Sequence, residues 1–242
     1  MKKLFKMIRQ ENLEEVKKII ENKPELVNCT ATPPPKKDIG QSPLQVAIKT
    51  DAFEIAYYLL EHGANVNFIE SEEEVGTGEL RMPVLHDAIR TTLHSLCYSN
   101  IKASEEGLKL VKRMLELGAD PNQKASNGIA AFGHAVLDAE YLLKSPSAYS
   151  DVQEFTRNQL IKLLDLLVQY GANKEEWLNS TRPFGETNLK HFVDDFVPEE
   201  DSYVEIEYRG KVFRNLVEGN IDRQEHMRKI MQEYFKDKEG VY

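Results

Sequence analysis

His134 and His191 each have acidic residues nearby, Asp138 for the first and Asp194 and Asp195 for the second. Imidazole and carboxylate together suit several divalent metals. His94 stands three residues before Cys97 and shares a helix face with it. Such a pair acts as base and nucleophile only when both are exposed and a third group orients the imidazole. The simpler reading makes Cys97 a small core hydrophobe and His94 a surface residue. Gly76-Thr77-Gly78 lacks the further glycine and the lysine of a phosphate loop, and no strand-to-helix context accompanies it. The chain contains no H-E-x-x-H, no paired C-x-x-C and no G-x-S-x-G. No catalytic residue, cofactor or resident metal is therefore expected.

Composition narrows the partners. The 242 residues can bury a sizeable core. Lys plus Arg is 31 against 40 Asp plus Glu, a formal charge of −9, so nucleic acid and an anionic membrane are not expected partners and a basic protein fits better. Cys29 and Cys97 are the only cysteines and lie far apart, without metal-ligand spacing, which points to a reducing compartment. The N-terminus has lysines but no apolar stretch of signal-peptide length, and no run of about 18 apolar residues occurs. The expectation is a soluble, cytoplasmic monomer.

The elements that must position these side chains are helices in a recurring pattern. Ser42-Pro43-Leu44-Gln45-Val46-Ala47 is followed by Phe53-Glu54-Ile55-Ala56-Tyr57-Tyr58-Leu59-Leu60 and closed by Gly63-Ala64-Asn65-Val66-Asn67. Ser42 suits a helix cap, Pro43 the first turn, and Gly63 a left-handed stop. The pattern restarts at Pro83-Val84-Leu85-His86-Asp87-Ala88 and at Ala130-Ala131-Phe132-Gly133-His134-Ala135. It restarts again, less regularly, at Gly185-Glu186-Thr187-Asn188-Leu189-Lys190-His191-Phe192. Closing segments Gly118-Ala119-Asp120-Pro121-Asn122 and Gly171-Ala172-Asn173 recur with it.

These motifs resemble the ankyrin repeat, with Ser42 to Ala47 standing where that family has T-P-L-H-x-A. The resemblance implies a mostly all-α chain, an ankyrin-repeat solenoid of about five helix-turn-helix repeats in a single domain spanning 1–242. Its units are an N-terminal cap at 1–28, then 39–67, 81–122, 127–173 and a C-terminal cap at 184–237. The first helix of the N-terminal cap carries Lys2, Lys3, Lys6, Arg9 and Gln10 on the face that no earlier repeat covers.

The first full repeat serves as a ruler for the others. Gly63 to Gly118 is 55 residues and Gly118 to Gly171 is 53, against a family period of about 33. Motif alignment puts about eight extra residues in the finger before Pro83, about fourteen between Ala88 and Leu108, and about twenty between Ala135 and Ile161. Ala88, Ile89, Leu93, Leu96 and Cys97 continue one apolar stripe, and Phe132, Ala135, Val136, Ala139, Leu142 and Leu143 another. Longer helices are therefore expected, with turns at Tyr98-Ser99-Asn100 and Ser145-Pro146-Ser147, and a thickened inter-helix edge. The last unit is enlarged at the same place. Val204, Ile206 and Tyr208 alternate with Glu205 and Glu207, so 203–213 reads as a small β-hairpin, while Phe213, Leu216 and Val217 fit a helical turn equally well.

Carried over by motif, the concave face that the resemblance implies presents Val46, Lys49, Asp87, Arg90, Thr91, His134, Asp138, His191, Asp194 and Asp195. Stacked helices would hold His134 and His191 on the order of 10 Å apart, which is far for one ion, so a solvated face is the expected state. His86, at the motif histidine, is expected to be structural. The long fingers are a second surface. Thr32-Pro33-Pro34-Pro35-Lys36-Lys37 neighbours Phe68-Ile69-Glu70-Ser71-Glu72-Glu73-Glu74, and Phe68 and Ile69 are either rim anchors or residues packed on the stack.

The function expected from this is a non-catalytic protein-interaction module. It would hold a macromolecular partner by the concave face and fingers, in one form as an inhibitor or immunity-like regulator of a basic protein. The partner contacts would come from Lys49, Phe68, Ile69, Asp87, Arg90, His134, Asp138, His191 and Asp194. The alternatives are an enzyme with a pocket on the enlarged edge, or a multi-partner scaffold.

Overall fold

The structure is a computed structural model, and it describes residues 1–33, 38–76, 78–142, 150–175, 204–208, 211–215, 227 and 229–236. Most of these residues are helical. The helices are α1 (Lys2–Arg9), α2 (Leu13–Asn22), α3 (Pro43–Lys49), α4 (Phe53–Glu61), α5 (Glu72–Val75), α6 (Val84–His94), α7 (Ile101–Glu116), α8 (Ala131–Leu142) and α9 (Ser150–Gln169), with a last segment, α10, at 229–236. Short polar caps start several of them. Asn12 accepts the Glu15 N–H, and Asn100 accepts the Ala103 N–H, both at 3.1 Å. Ser42 and Gln45 form a reciprocal capping box on α3, with Pro43 in the first turn, as the sequence implies.

The helices pack as pairs, α1 with α2, α3 with α4, α6 with α7 and α8 with α9. First helices touch in the order α1, α3, α6, α8, and second helices in the order α2, α4, α7, α9. The apolar face of each helix is shared between its pair and the next, so one core runs from Leu4 and Ile8 through Leu44, Leu59, Leu85 and Leu110 to Leu163. Ala47, Ala88 and Ala135 are fully buried, and their small side chains let consecutive first helices approach closely. Met227, Ile230, Met231 and Tyr234 are buried on the far side, where Tyr234 and Phe235 lie 6.3 and 6.4 Å from the Phe132 ring.

An asparagine ties each closing segment to the next. Asn28 donates to the Gly63 carbonyl and accepts the Asn65 N–H; Asn67 does the same with Gly118 and Asp120, and Asn122 with Gly171 and Asn173. The three glycines sit at φ of 84°, 90° and 91°, the left-handed region that ends the preceding helix.

Helix length carries the expansion. α3 and α4 have 7 and 9 residues, whereas α6 and α7 have 11 and 16, and α8 and α9 have 12 and 20. A 3₁₀ turn over Ser95–Tyr98 extends α6, and Ser99 at φ 54° reverses the chain before Asn100 caps α7. The turn expected at Ser145 to Ser147 lies outside the described residues, as do Lys190, His191, Phe192, Asp194 and Asp195 of the last unit. Strands β1 (Val204–Tyr208) and β2 (Lys211–Asn215) pair antiparallel with Ile206 opposite Phe213. Phe213 therefore belongs to a strand, and the hairpin runs two residues beyond the expected end.

Arg9 differs from the expected solvated cap face. It forms an ion pair with Asp38 of the first finger.

Candidate functional site

Three elements enclose an open hollow of about 540 Å³: the end of α3, the outer face of α6 and the finger that joins α4 to α6. α3 contributes Lys49, and Asp51 follows it. α6 contributes Asp87, Arg90, Thr91 and His94, which recur every three or four residues and so share one helix face. The finger supplies Glu70, Leu80 and Met82.

The wall of the hollow is a buried carboxylate pair. Gln45 takes the position of the motif histidine, and its Nε2 donates to Glu70 Oε1 at 3.0 Å, to Asp87 Oδ2 at 2.9 Å and to the Met82 carbonyl at 3.3 Å. The Met82 N–H donates to the other Glu70 oxygen. Lys49 Nζ lies 3.3 Å from Asp87 and 3.7 Å from Glu70, one ammonium between two carboxylates. Burial pushes the Asp87 carboxyl up to about 6; Lys49 and Gln45 oppose that shift and Glu70 adds to it. Glu70, at the head of the acidic stretch of the second finger, is buried, and this network satisfies it.

The finger is tied to its neighbour beside the hollow. Arg81 exchanges hydrogen bonds with Ser126 of the following finger, its N–H donating to Oγ at 3.0 Å and its carbonyl accepting the Ser126 N–H at 2.9 Å. Its guanidinium also donates to Glu72. Leu80, next to it, is 51% exposed and lines both the large hollow and a smaller one of about 320 Å³ bounded by Glu72, Glu79, Arg81 and Asn127.

On the other side of α6, His86 is fully buried and stacks on His134 of α8, ring centroids 4.7 Å apart and tilted 46°. Burial, and then the neighbouring His134, lower His86 to about 3. Burial also lowers His134, and Asp138 opposes that while Arg90 adds to it. His94 Nε2 lies 3.5 Å from Asp138. His94 is thus half-buried and bridges α6 to α8, which corrects its reading as a plain surface residue.

The expected ladder divides accordingly. Lys49, Asp87, Arg90 and Thr91 come together at the hollow. Val46, Asp87 and His134 are buried, so the face is not uniformly solvated: Val46 packs into the core, and His134 and Asp138 belong to the α6–α8 seam. Phe68 is half-buried and packs on the core, the second of its two readings, while Ile69 is half-buried beside it. His191 and Asp194 lie outside the described residues. Among the described residues, no group of three or more His, Cys, Asp or Glu side chains is arranged to hold a metal ion. None of their helices is long and apolar enough to cross a membrane. Sequence reasoning missed Leu80, Glu70 and Gln45; of these only Gln45 carried a signal, its place at the motif histidine.

Paired helices, left-handed glycine stops and asparagine-linked closing segments define a helical-repeat scaffold of the all-α class. Residues 39–70 match the family model described as ankyrin repeat, so the chain carries an ankyrin repeat there. Ankyrin repeats are in general protein-interaction modules, and typically not enzymes. No curated protein matches the chain.

Proposed function

We propose that this chain is a non-catalytic binding module that holds one macromolecular partner, a basic protein, across the hollow and the finger edge, as an inhibitor or immunity-like regulator would. In this reading residues 1–242 form one ankyrin-repeat domain with units at 1–28, 39–67, 81–122, 127–173 and 184–237. It acts as a cytoplasmic monomer without a cofactor. The observation that supports it most is Leu80, a large apolar side chain held out between two hollows by the Arg81–Ser126 pairing. An exposed leucine on a hydrogen-bonded finger, flanked by charge, is the kind of anchor that partner surfaces use. Asp51, Glu70, Glu72, Glu79 and Asp87 outnumber Lys49, Arg81 and Arg90 around it, in line with the −9 charge. Arg90 and Ile69 extend the contact surface, whereas His134 and Asp138 act through the packing of α6 on α8.

The Asp87 carboxyl, raised to about 6 in the wall of a hollow, favours the enzyme reading on one count. Gln45 and Lys49 engage that carboxylate, which is buried, and this weighs toward the binding reading.

The test is affinity purification from the native cell with wild type beside a Leu80→Asp/Arg90→Glu variant. One basic protein recovered by wild type and lost by the variant supports the reading. Equal recovery removes Leu80 and Arg90 as anchors, and no partner at mild salt overturns the binding role itself.

A further inference from the structure

We infer that α6 separates two seams of opposite proton response, so that acidification loosens its contact with α8 and tightens its contact with α3 and the second finger. The geometry is that of neighbouring residues facing different elements. His86 turns to α8 and stacks on His134, while Asp87 turns to α3 and the finger and shares Gln45 and Lys49 with Glu70.

At the α8 seam the two buried rings lie against each other, tilted by 46°, and a proton on either one places a cation against the other. The groups around them do not compensate evenly. Arg90 of α6 adds positive charge near His134, and the Gln123 backbone favours a protonated His86. Asp138 of α8, the carboxylate acting on His134, is shared with His94 of α6. His86 therefore stays neutral in the packed seam. An exposed histidine takes up a proton below about 6.5, so acid favours states in which α8 has parted from α6.

At the α3 seam the sign is reversed. Glu70 and Asp87 face one ammonium, and a proton on Asp87 removes the unbalanced negative charge. The packed seam holds that proton more tightly than an open one does, since Asp87 is raised from 3.8 to about 6. Acid therefore favours the closed state here.

Between pH 7.5 and 5.0, linkage from His86, lowered from 6.5 to about 3, reduces the closed-to-open ratio of its seam about thirtyfold. Asp87 raises the ratio of its seam about tenfold over the same interval. In a measurement of global stability the two responses partly cancel. The responses separate in amide hydrogen exchange of the full chain at the two pH values, corrected for intrinsic rates. Protection is expected to fall in α8 and rise in α3. Changes of the same sign in both helices, or no change in either, overturn the inference. His86→Gln should weaken the α8 response, leaving the part that His134 carries, without changing the α3 response, and Asp87→Asn should remove the α3 response alone. Because either variant can fail to fold, the ring protons of His86 are also followed by NMR in the wild type. They should keep the neutral shift in the folded chain at pH 5.0, and a midpoint near the ordinary histidine value of about 6.5 overturns the proposal.

Discussion

Gly107 of α7 lies against Thr92 of α6 so closely that a Cβ at position 107 would stand 2.5 Å from Thr92 Oγ1 and 3.0 Å from its Cα. Thr92 cannot swing away freely, because Oγ1 donates to the Ala88 carbonyl at 2.7 Å. Gly107→Ala must therefore push the two helices apart despite its better helix propensity. An overpacked interior costs about 1–3 kcal/mol. Urea unfolding should show that loss. Thr92→Ala in the same chain should restore only part of it, since the Thr92 backbone would still be in the way. A stabilised Gly107→Ala chain would mean the helices are not in close contact.

The asparagine links give a second expectation. Asn67 joins Gly118 and Asp120 at 3.0 and 2.7 Å, and Asn122 joins Gly171 and Asn173 at 2.8 Å each. Asn67→Ala and Asn122→Ala each remove two hydrogen bonds from exposed closing segments, where water replaces part of them. A loss of about 1 kcal/mol or somewhat more is expected for each. Hydrogen exchange should speed up at Asp120 in the first variant and at Asn173 in the second, and not the reverse. Equal acceleration at both sites in either variant would contradict a pairwise link.

Lys49→Met tests the carboxylate pair. Without the ammonium, Glu70 and Asp87 remain buried with Gln45 as their shared donor, and breaking such a group costs about 1–3 kcal/mol after allowing for the half-exposed lysine. The folded-state value of Asp87 is raised above its ordinary 3.8 to about 6, so the penalty of its ionised form is present above that value and is relieved as the pH falls towards 3.8. The deficit of Lys49→Met relative to wild type should therefore be largest at pH 7.5 and shrink towards pH 4.5. Denaturant titrations at several pH values would measure it, and a deficit that grows with acid would rule out this account.

Much of the helical frame was legible because its signals are local. Ser42-Pro43 marks a start, Gly63, Gly118 and Gly171 mark stops, and the stripe from Ala88 to Leu96 announces the length of α6 and its 3₁₀ extension. The site was less legible because it depends on what the frame brings together. His86 and His134 are 48 positions apart, and their stacking follows only from α6 and α8 being adjacent first helices. Glu70 heads a run of acids and looks solvated until the finger folds back and offers it Gln45 and the Met82 N–H. Leu80 sits in a polar segment whose path is set by Ser126, in the following finger.

That same leucine carries the last prediction. Leu80 makes its exposed contribution to the surface rather than to the core, so Leu80→Asp should change folding stability by no more than about 0.5 kcal/mol, the range of ordinary surface substitutions. If it is a central anchor for the proposed partner, its loss should weaken binding by about 2 kcal/mol or more, roughly thirtyfold in Kd. Leu117→Asp is the control, an exposed leucine at the far end of α7 that lines neither hollow. Titration of the captured partner by calorimetry, beside urea curves for all three chains, separates the outcomes. Unchanged affinity with Leu80→Asp would move the contact surface away from this finger. Equal weakening by Leu117→Asp would point to a nonspecific effect of added negative charge. A basic partner should also bind more weakly as salt rises, because contacts with the acidic rim are exposed and screened over about 8–10 Å at physiological ionic strength.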